Sequence, residues 1–241
     1  MRTIAIMIGR GGSSMKNKNL AQVLGHPILH WGANAARQSK HVTDFYISSD
    51  STDILNAGAM AGYIPILRSP KLATSTALGA DVIRSVLNSL TGKVDFESDI
   101  VIVQHANCAT VTTDLIDLCV SELKKDENVS AVIPAHSDQD HHPFRAKRLL
   151  PSGMIESFFP EMKEASSNRQ QLPPVVFFDH SIWVVRAKHF FERDGEPPWK
   201  EMGPSVKVVL TQGSFDIHEE KDIAVTERWL IENGVEPPRF G

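Results

Sequence analysis

The chain contains little of what marks several common classes of protein. Only two of its 241 residues are cysteines, Cys108 and Cys119, and their spacing fits no zinc pattern. The 25 lysines and arginines are balanced by 29 aspartates and glutamates, so neither nucleic acid nor an acidic membrane is expected as a partner. No apolar run approaches the length of a membrane span, and the first residues lack the apolar core of a signal peptide. These features predict a reduced, cytoplasmic protein that forms a single domain over residues 1–241.

Two common glycine motifs are also absent. The first apolar run, Ile4–Ile8, reads as a buried strand and is followed by Gly9, Gly11 and Gly12. A dinucleotide fingerprint requires another glycine where Ser14 stands, and no Walker A spacing begins at any of these glycines. A nicotinamide dehydrogenase is therefore disfavoured.

The loop after this strand nevertheless has the composition of a phosphate site. It combines cationic side chains, small residues with open backbone amides and polar side chains: Arg10, Lys16, Lys18, Gly11, Gly12, Ser13 and Asn19. Backbone amides and positive charge that converge on one point can hold a phosphate group. An ordinary glycine turn with solvated lysines is the alternative.

The rest of the chain alternates between strand-like and helix-like segments. The predicted strands are Ile4–Ile8, Phe45–Ser48, Ile64–Leu67, Ile100–Val103, Ala131–Pro134, Ile182–Val185 and Val206–Leu210. The segments Ile28–Gln38, Thr52–Ala61, Ala77–Leu90 and Thr113–Lys124 have helical spacing of apolar residues. This alternation predicts an α/β fold with a mostly parallel sheet covered on both faces. Ligands of such folds bind at the carboxyl ends of the strands.

Polar residues follow several of these strands. After the second strand, Asp50, Ser51 or Asp53 is interpreted as the N-cap of the next helix. A ribose ligand is disfavoured, because Asp50 stands about forty residues after Gly9 instead of about twenty. Gln104 and Asn107, after the fourth strand, form a polar cluster of the kind that is costly to bury without a function. His105, between them, is interpreted as a base or, preferably, as an orienting or hydrogen-bonded histidine.

Several segments, in order, resemble motifs of the CMP-N-acylneuraminate synthetases, which activate sialic acid and related acid sugars. The matching residues are Arg10-Gly11-Gly12-Ser13 followed by a Lys-Asn pair, Arg68 with Leu72-Ala73, Gln104, Arg169-Gln170 with Leu172-Pro173, and Asp216 with Asp222 and Glu227. The chain resembles a divergent member, because the first loop is one residue short and several pocket residues differ.

The resemblance implies a Rossmann-like three-layer α/β/α nucleotidyltransferase with a mostly parallel mixed sheet. It also implies a small projecting dimerisation arm at residues 136–171. The implied reaction transfers CMP from CTP to a sialic-acid-like or other ulosonic acid and releases pyrophosphate. The implied partners are CTP, an acidic sugar and a second copy of the chain.

The resemblance also implies roles for individual residues. Arg10, Lys18 and Asp216 are expected to be catalytic. The residues expected to bind the nucleotide are Gly11, Gly12, Ser13, Lys16, Asn19, Arg68 and Thr76. The residues expected to bind the acceptor are Gln104, Asn107, Arg169 and Gln170.

The expected metal ligands are Asp216 and His218, which would hold Mg²⁺, or alternatively Mn²⁺. His218 stands where the family has a second aspartate, and imidazole is a poor ligand for magnesium. Two alternatives follow: a catalytically impaired protein that binds nucleotide sugars, or a nucleotidyltransferase that uses another triphosphate or a sugar-1-phosphate.

Overall fold

The computed structural model describes residues 1–12, 15, 17–161 and 166–240. Its strands are β1 (Thr3–Ile8), β2 (Gln22–Val23), β3 (His26–Pro27), β4 (Asp44–Ser49), β5 (Ile64–Leu67), β6 (Ile100–His105), β7 (Ala131–His136), β8 (Lys147–Leu149), β9 (Ile155–Ser157), β10 (Phe177–Phe178), β11 (Ile182–Arg186) and β12 (Val206–Leu210). Its α-helices are α1 (Ile28–Gln38), α2 (Thr52–Met60), α3 (Gly79–Ser89), α4 (Thr113–Lys125), α5 (His189–Glu192) and α6 (Lys221–Glu232).

The central sheet has eight strands, most of them parallel. β5, β4, β1 and β6 are parallel neighbours, and β7 pairs in parallel with β12. β11 runs antiparallel between β6 and β7, and the short β10 pairs antiparallel with β7. The predicted α/β fold with a mostly parallel mixed sheet is confirmed.

Helices cover both faces of the sheet because side chains alternate along the buried strands. In β1, Ala5 and Met7 belong to an apolar cluster with α1, α2 and α4, whereas Ile4 and Ile6 belong to a second cluster with α3 and α5. The same alternation in β6 decides which polar residues at its end can face the site.

The segment 136–171 contains a hairpin outside the central sheet. The chain leaves the sheet after β7, forms the β8–β9 hairpin and returns at β10. Several apolar side chains of this hairpin region are exposed: Leu149, Met154, Ile155 and Phe158. Residues 162–165 of the expected arm lie outside the described residues.

The ends of β1 and β6 approach each other at a glycine. The amide of Ala106 donates to the carbonyl of Ile8, and a Cβ built on Gly9 would lie 2.8 Å from the Cβ of Ala106. A glycine at position 9 therefore allows both strands to end side by side. Within the described ranges, no helix combines the length and the apolar character needed to cross a bilayer.

Candidate active site

A cavity of about 300 Å³ opens where β1 and β6 end. Five of the expected site residues line it, two of them expected to be catalytic and three to bind nucleotide or acceptor, although they come from four separate segments: Arg10, Lys18, Asn19, Arg68 and Asn107. This cavity, called the first cavity below, therefore lies at the carboxyl ends of parallel strands, where ligands of such folds bind.

Asn19 shapes the loop that follows β1. Its buried side-chain amide donates to the carbonyl of Arg10 over 2.8 Å. This bond holds the backbone of Arg10 at the cavity and does not involve the guanidinium. Asn19 therefore positions the loop as well as lining the cavity.

Asp50 binds the same loop. Its Oδ1 accepts a hydrogen bond from the amide of Gly11 over 2.9 Å, and the residue that precedes α2 as its N-cap is Ser51. Of the three N-cap candidates, Ser51 therefore holds the position, whereas Asp50 binds the loop instead. The amide of Gly11 was expected to donate to a phosphate. In this structure it donates to the carboxylate of Asp50 instead.

Arg68 presents a buried cation to the first cavity. Its Nη2 donates to the carbonyl of Ser48 over 2.7 Å, whereas its Nε is buried and has no hydrogen-bond partner among the described residues. Burial lowers the pKa of this guanidinium, and the Asp50 carboxylate opposes that effect. A buried donor without a partner is costly, so an anion that reaches it would be bound favourably.

Lys18 links the loop to the distant Asp216. Burial lowers the pKa of Lys18, the Asp216 carboxylate opposes this, and the Arg10 guanidinium acts in the same direction as burial. Asn107 fixes the neighbouring backbone, because its Nδ2 lies 3.3 Å from Asp216 Oδ2 and 3.2 Å from the carbonyl of Ile217. Arg10, Lys18 and Asp216 therefore share one region of the fold.

The environment of Asp216 fits a divalent ion held by one protein carboxylate. His218 Nε2 lies 2.7 Å from Asp216 Oδ2, so the ring is engaged with the carboxylate. The carboxylate of Asp222 accepts hydrogen bonds from the amides of His218 and Glu219 at the start of α6. Magnesium is commonly held by one or two carboxylates together with substrate phosphates. Asp216 suits that arrangement, and His218 is better placed to orient Asp216 than to ligate the ion.

Besides Gly11, whose amide binds Asp50 and which does not line the first cavity, four expected nucleotide residues lie elsewhere or outside the described part of the chain. Gly12 and Thr76 are exposed and do not line the first cavity, whereas the neighbours Thr74 and Ser75 do. Ser13 and Lys16 lie outside the described residues.

The expectation that Gln104 binds the acceptor is wrong. Gln104 is 1% exposed, and its side chain accepts from the hydroxyl of Tyr63 over 2.6 Å and donates to the carbonyl of Gly32 over 2.8 Å. Alternation along β6 explains this, because Gln104 shares the face of Ile100 and Ile102 that packs on α1. Gln104 is thus a structural residue between β6 and the helical layer.

Gln104→Leu is expected to destabilise the protein without weakening the binding of its substrates. The substitution leaves the hydroxyl of Tyr63 buried without its acceptor and removes a second hydrogen bond to the carbonyl of Gly32, which costs about 1–3 kcal/mol and lowers the melting temperature by roughly 2–12 °C. Scanning calorimetry and steady-state kinetics below the transition test this. A large rise in the KM for the acceptor with an unchanged melting temperature would contradict the structural role.

Arg169 and Gln170 are not brought to the cavity within one chain. They lie in an exposed 3₁₀ turn, where Arg169 Nη1 is 3.1 Å from Asp140 Oδ2. They line a separate surface hollow in the 136–171 segment. The expectation that they line the same pocket as Asn107 is corrected for the single chain.

A second cavity of about 250 Å³ adjoins the first. Ile8, Gly79 and His105 line both cavities. The other walls of the second cavity are largely aromatic or aliphatic and include His180, Trp183, Phe190, Pro198 and Trp199. Sequence reasoning missed this cavity, and the only signal was the Asp-His-Ser-Ile-Trp segment after the Arg169 motif.

Two charged side chains also line the second cavity. Glu201 is 7% exposed, and burial raises the pKa of its carboxyl group, whereas Arg193 and Arg84 act in the opposite direction. Within the described part of the chain, Glu201 accepts a hydrogen bond from its own amide but pairs with no other side chain. The side chain of Arg193 likewise makes no ion pair or hydrogen bond with the described residues. The aromatic second cavity thus contains a hydrogen-bond acceptor, Glu201, and a hydrogen-bond donor, Arg193, that do not pair with each other.

Comparison with solved structures shows proteins that share this α/β fold. A structure of CMP:2-keto-3-deoxy-manno-octonic acid synthetase complexed with CTP superposes with a TM-score of 0.70 at 13% identity, over 97% of this chain and 100% of that one. The 4-diphosphocytidyl-2C-methyl-D-erythritol synthase of Anaerococcus prevotii superposes with a TM-score of 0.63 at 16% identity, over 95% and 99% of the two chains.

The sequence comparisons show the family. The cytidylyltransferase family model matches residues 4–156, and the chain belongs to that family.

Curated relatives point in the same direction. The chain is 27% identical to the Helicobacter pylori pseudaminic acid cytidylyltransferase and UDP-2,4-diacetamido-2,4,6-trideoxy-beta-L-altropyranose hydrolase, over 96% of this chain and 42% of that protein. It is 35% identical to the Legionella pneumophila CMP-N,N'-diacetyllegionaminic acid synthase over 37% of this chain and 38% of that protein. It is 26% identical to the Escherichia coli N-acylneuraminate cytidylyltransferase over 80% and 46%, so it spans less than half the length of these relatives.

Proposed function

We propose that the protein transfers CMP from CTP to an ulosonic acid sugar and releases pyrophosphate. The observation that carries the proposal is that Arg10, Lys18 and Arg68 line one cavity and that Asp216 lies close enough to Lys18 to act on its pKa, although these residues come from three distant parts of the chain. Cations that surround a triphosphate can neutralise the charge that blocks attack on the α-phosphorus. The family membership supports the choice of CTP.

The reaction needs few reactive side chains, because phosphoryl-type transfer depends mainly on positioning and charge. Arg10 and Lys18 would bind phosphate oxygens, and the free Nε of Arg68 would donate to the nucleotide. Asp216 would hold a Mg²⁺ ion, or Mn²⁺, with His218 orienting its carboxylate. When bound, such an ion withdraws charge from the phosphoryl group and stabilises the leaving pyrophosphate.

The second cavity would hold the acceptor. An amide substituent has one donor, one acceptor and an apolar methyl group, which suit Glu201, Arg193 and the faces of Trp183 and Trp199. We therefore propose an N-acylated acid sugar, with its carboxylate turned towards the cations of the first cavity. The names of the relatives, which include N-acylneuraminate and diacetyllegionaminic acid, support this class.

We also propose that two copies of the chain assemble through the 136–171 segment. The exposed apolar side chains of the hairpin, Leu149 and Ile155 among them, support this interface. Arg169 and Gln170 lie in the same segment, so a partner's segment could bring them to an acceptor that they do not reach in one chain. The free thiols of Cys108 and Cys119 are consistent with the reduced cytoplasm as the setting.

The direct test is release of pyrophosphate from CTP with a panel of acceptors. N-acetylneuraminate and the matched nine-carbon acid that has a hydroxyl in place of the acetamido group form the key pair. The acetamido acceptor is expected to have a kcat/KM higher by about 30-fold or more, because the hydroxyl analogue leaves polar groups of the second cavity unpaired. Equal values would argue against the N-acyl assignment while leaving the transfer reaction intact.

The same assay separates the alternative functions. The contact between His218 and Asp216 is the feature that favours a catalytically impaired protein, because it engages the one expected carboxylate ligand. Binding of CTP without pyrophosphate release, with Mg²⁺ and with Mn²⁺, would support that alternative. Release with UTP, ATP or GTP, or with a sugar-1-phosphate, would support a different nucleotidyltransferase.

A further inference from the structure

His105 is the polar side chain shared by the two cavities. It ends β6, directly after Gln104, and alternation turns it to the opposite face, that of Val101 and Val103. The other two shared residues, Ile8 and Gly79, have no functional group in their side chains. Among the described residues, His105 is therefore the side chain with a functional group that lines both cavities.

The imidazole of His105 is enclosed but not satisfied. Its ring centroid lies 5.7 Å from that of His180 and 5.2 Å from that of Trp183, both in edge-to-face contact. Its Nε2 is buried and has no hydrogen-bond partner among the described residues. The preferred interpretation of His105 as a hydrogen-bonded structural histidine therefore does not hold for this atom. A buried nitrogen without a partner is costly, and a ligand hydroxyl that donates to it would remove the cost.

The surroundings of His105 keep it uncharged at neutral pH. Burial lowers its pKa to about 4, His180 and Lys18 act in the same direction, and the Asp216 carboxylate opposes them. An uncharged imidazole has a free lone pair, so it can accept a proton. A triphosphate in the first cavity adds negative charge beside the ring and would raise this pKa, which makes His105 a stronger base once CTP is bound.

We propose that His105 is the general base of the transfer and accepts the proton of the acceptor hydroxyl through Nε2. The inference rests on the proposed function. The hydroxyl O–H bond breaks as the proton moves to Nε2, and the oxygen forms a bond to the α-phosphorus of CTP. The bond from that phosphorus to the bridging oxygen breaks, and pyrophosphate leaves with its electron pair. The imidazolium then releases its proton to solvent, so no oxidant or other reactant is needed.

The first test is His105→Gln, which keeps a polar side chain but removes the base. The kcat is expected to fall by about 100-fold or more, whereas the KM for CTP should stay within about threefold of the wild-type value. The base works in its uncharged form, so wild-type kcat should fall as the pH drops through the pKa of His105 in the complex. That acid limb should be absent from the variant. His41→Gln is the matched control and should keep the wild-type profile, because His41 precedes β4, bonds the hydroxyl of Ser121 and lines neither cavity.

The second test does not depend on turnover. Histidine resonances are followed by NMR over a pH titration, with and without CTP, and His105→Gln identifies the signal. The pKa of His105 should rise when CTP is bound. Unchanged kcat in His105→Gln with active wild type, or a His105 signal that CTP does not shift, would overturn the proposal. An inactive wild type with every acceptor would instead count against the proposed function, and the NMR titration would still decide whether His105 senses the nucleotide.

Discussion

Arg10→Ala is expected to weaken CTP binding by about 100- to 1,000-fold, because it removes a multi-donor cation from the phosphate side of the first cavity. The fold should survive. The loop is held through the backbone carbonyl of Arg10, which Asn19 binds, and alanine keeps that carbonyl. Isothermal titration with CTP and a thermal melt of the same sample measure both effects.

Arg239→Ala is the matched control for this prediction. Arg239 is exposed near the end of the chain and pairs only weakly, with Glu236 over 3.6 Å. It should bind CTP like the wild type, since an exposed ion pair contributes little. If Arg10→Ala binds CTP with wild-type affinity, the loop after β1 is not the phosphate-binding site. A melting temperature that collapses with the affinity would indicate a structural role instead.

Asp216→Asn is expected to lower kcat by about 1,000-fold in the presence of Mg²⁺, while CTP affinity changes much less. Asparagine keeps the shape of the side chain but cannot supply the charged oxygen that a hard divalent ion prefers. It also removes the charge that opposes the lowering of the pKa of Lys18. Pyrophosphate release measured over a titration of Mg²⁺, and again with Mn²⁺, tests the prediction.

Glu219→Gln provides the comparison for Asp216. Glu219 is an exposed neighbour that pairs with Lys221 at 2.7 Å, and its carboxylate lines neither cavity. Its variant should show the wild-type dependence on Mg²⁺. If Asp216→Asn shows that dependence too, Asp216 is not the metal ligand.

The fold could be predicted closely because it depends on local periodicity. The helix predicted over Ile28–Gln38 and the strands predicted over Ile64–Leu67 and Val206–Leu210 have the observed bounds. Apolar runs between helical segments define a buried parallel sheet with little ambiguity. The short strands β2, β3, β8, β9 and β10 were missed, since two or three residues do not establish a period.

The site was harder to predict because it depends on direction and on distant contacts. Gln104 follows an apolar strand, as a site residue does, but the alternation of β6 turns it inward and His105 outward. Asp50 resembles a helix cap in sequence, but its partner is an amide thirty-nine positions earlier. The second cavity joins β11 to the segment around Glu201, and no local pattern indicates that contact.

The wall common to the two cavities has a consequence for inhibitor design. Ile8, Gly79 and His105 line both chambers, so a short tether is expected to join a cytidine phosphate to an acetamido-bearing tail. Such a bisubstrate compound loses its translational freedom only once on binding, whereas two separate ligands lose it twice. It should therefore bind more tightly than either half. A crystal structure of its complex would show the ligand contacts of both chambers at once.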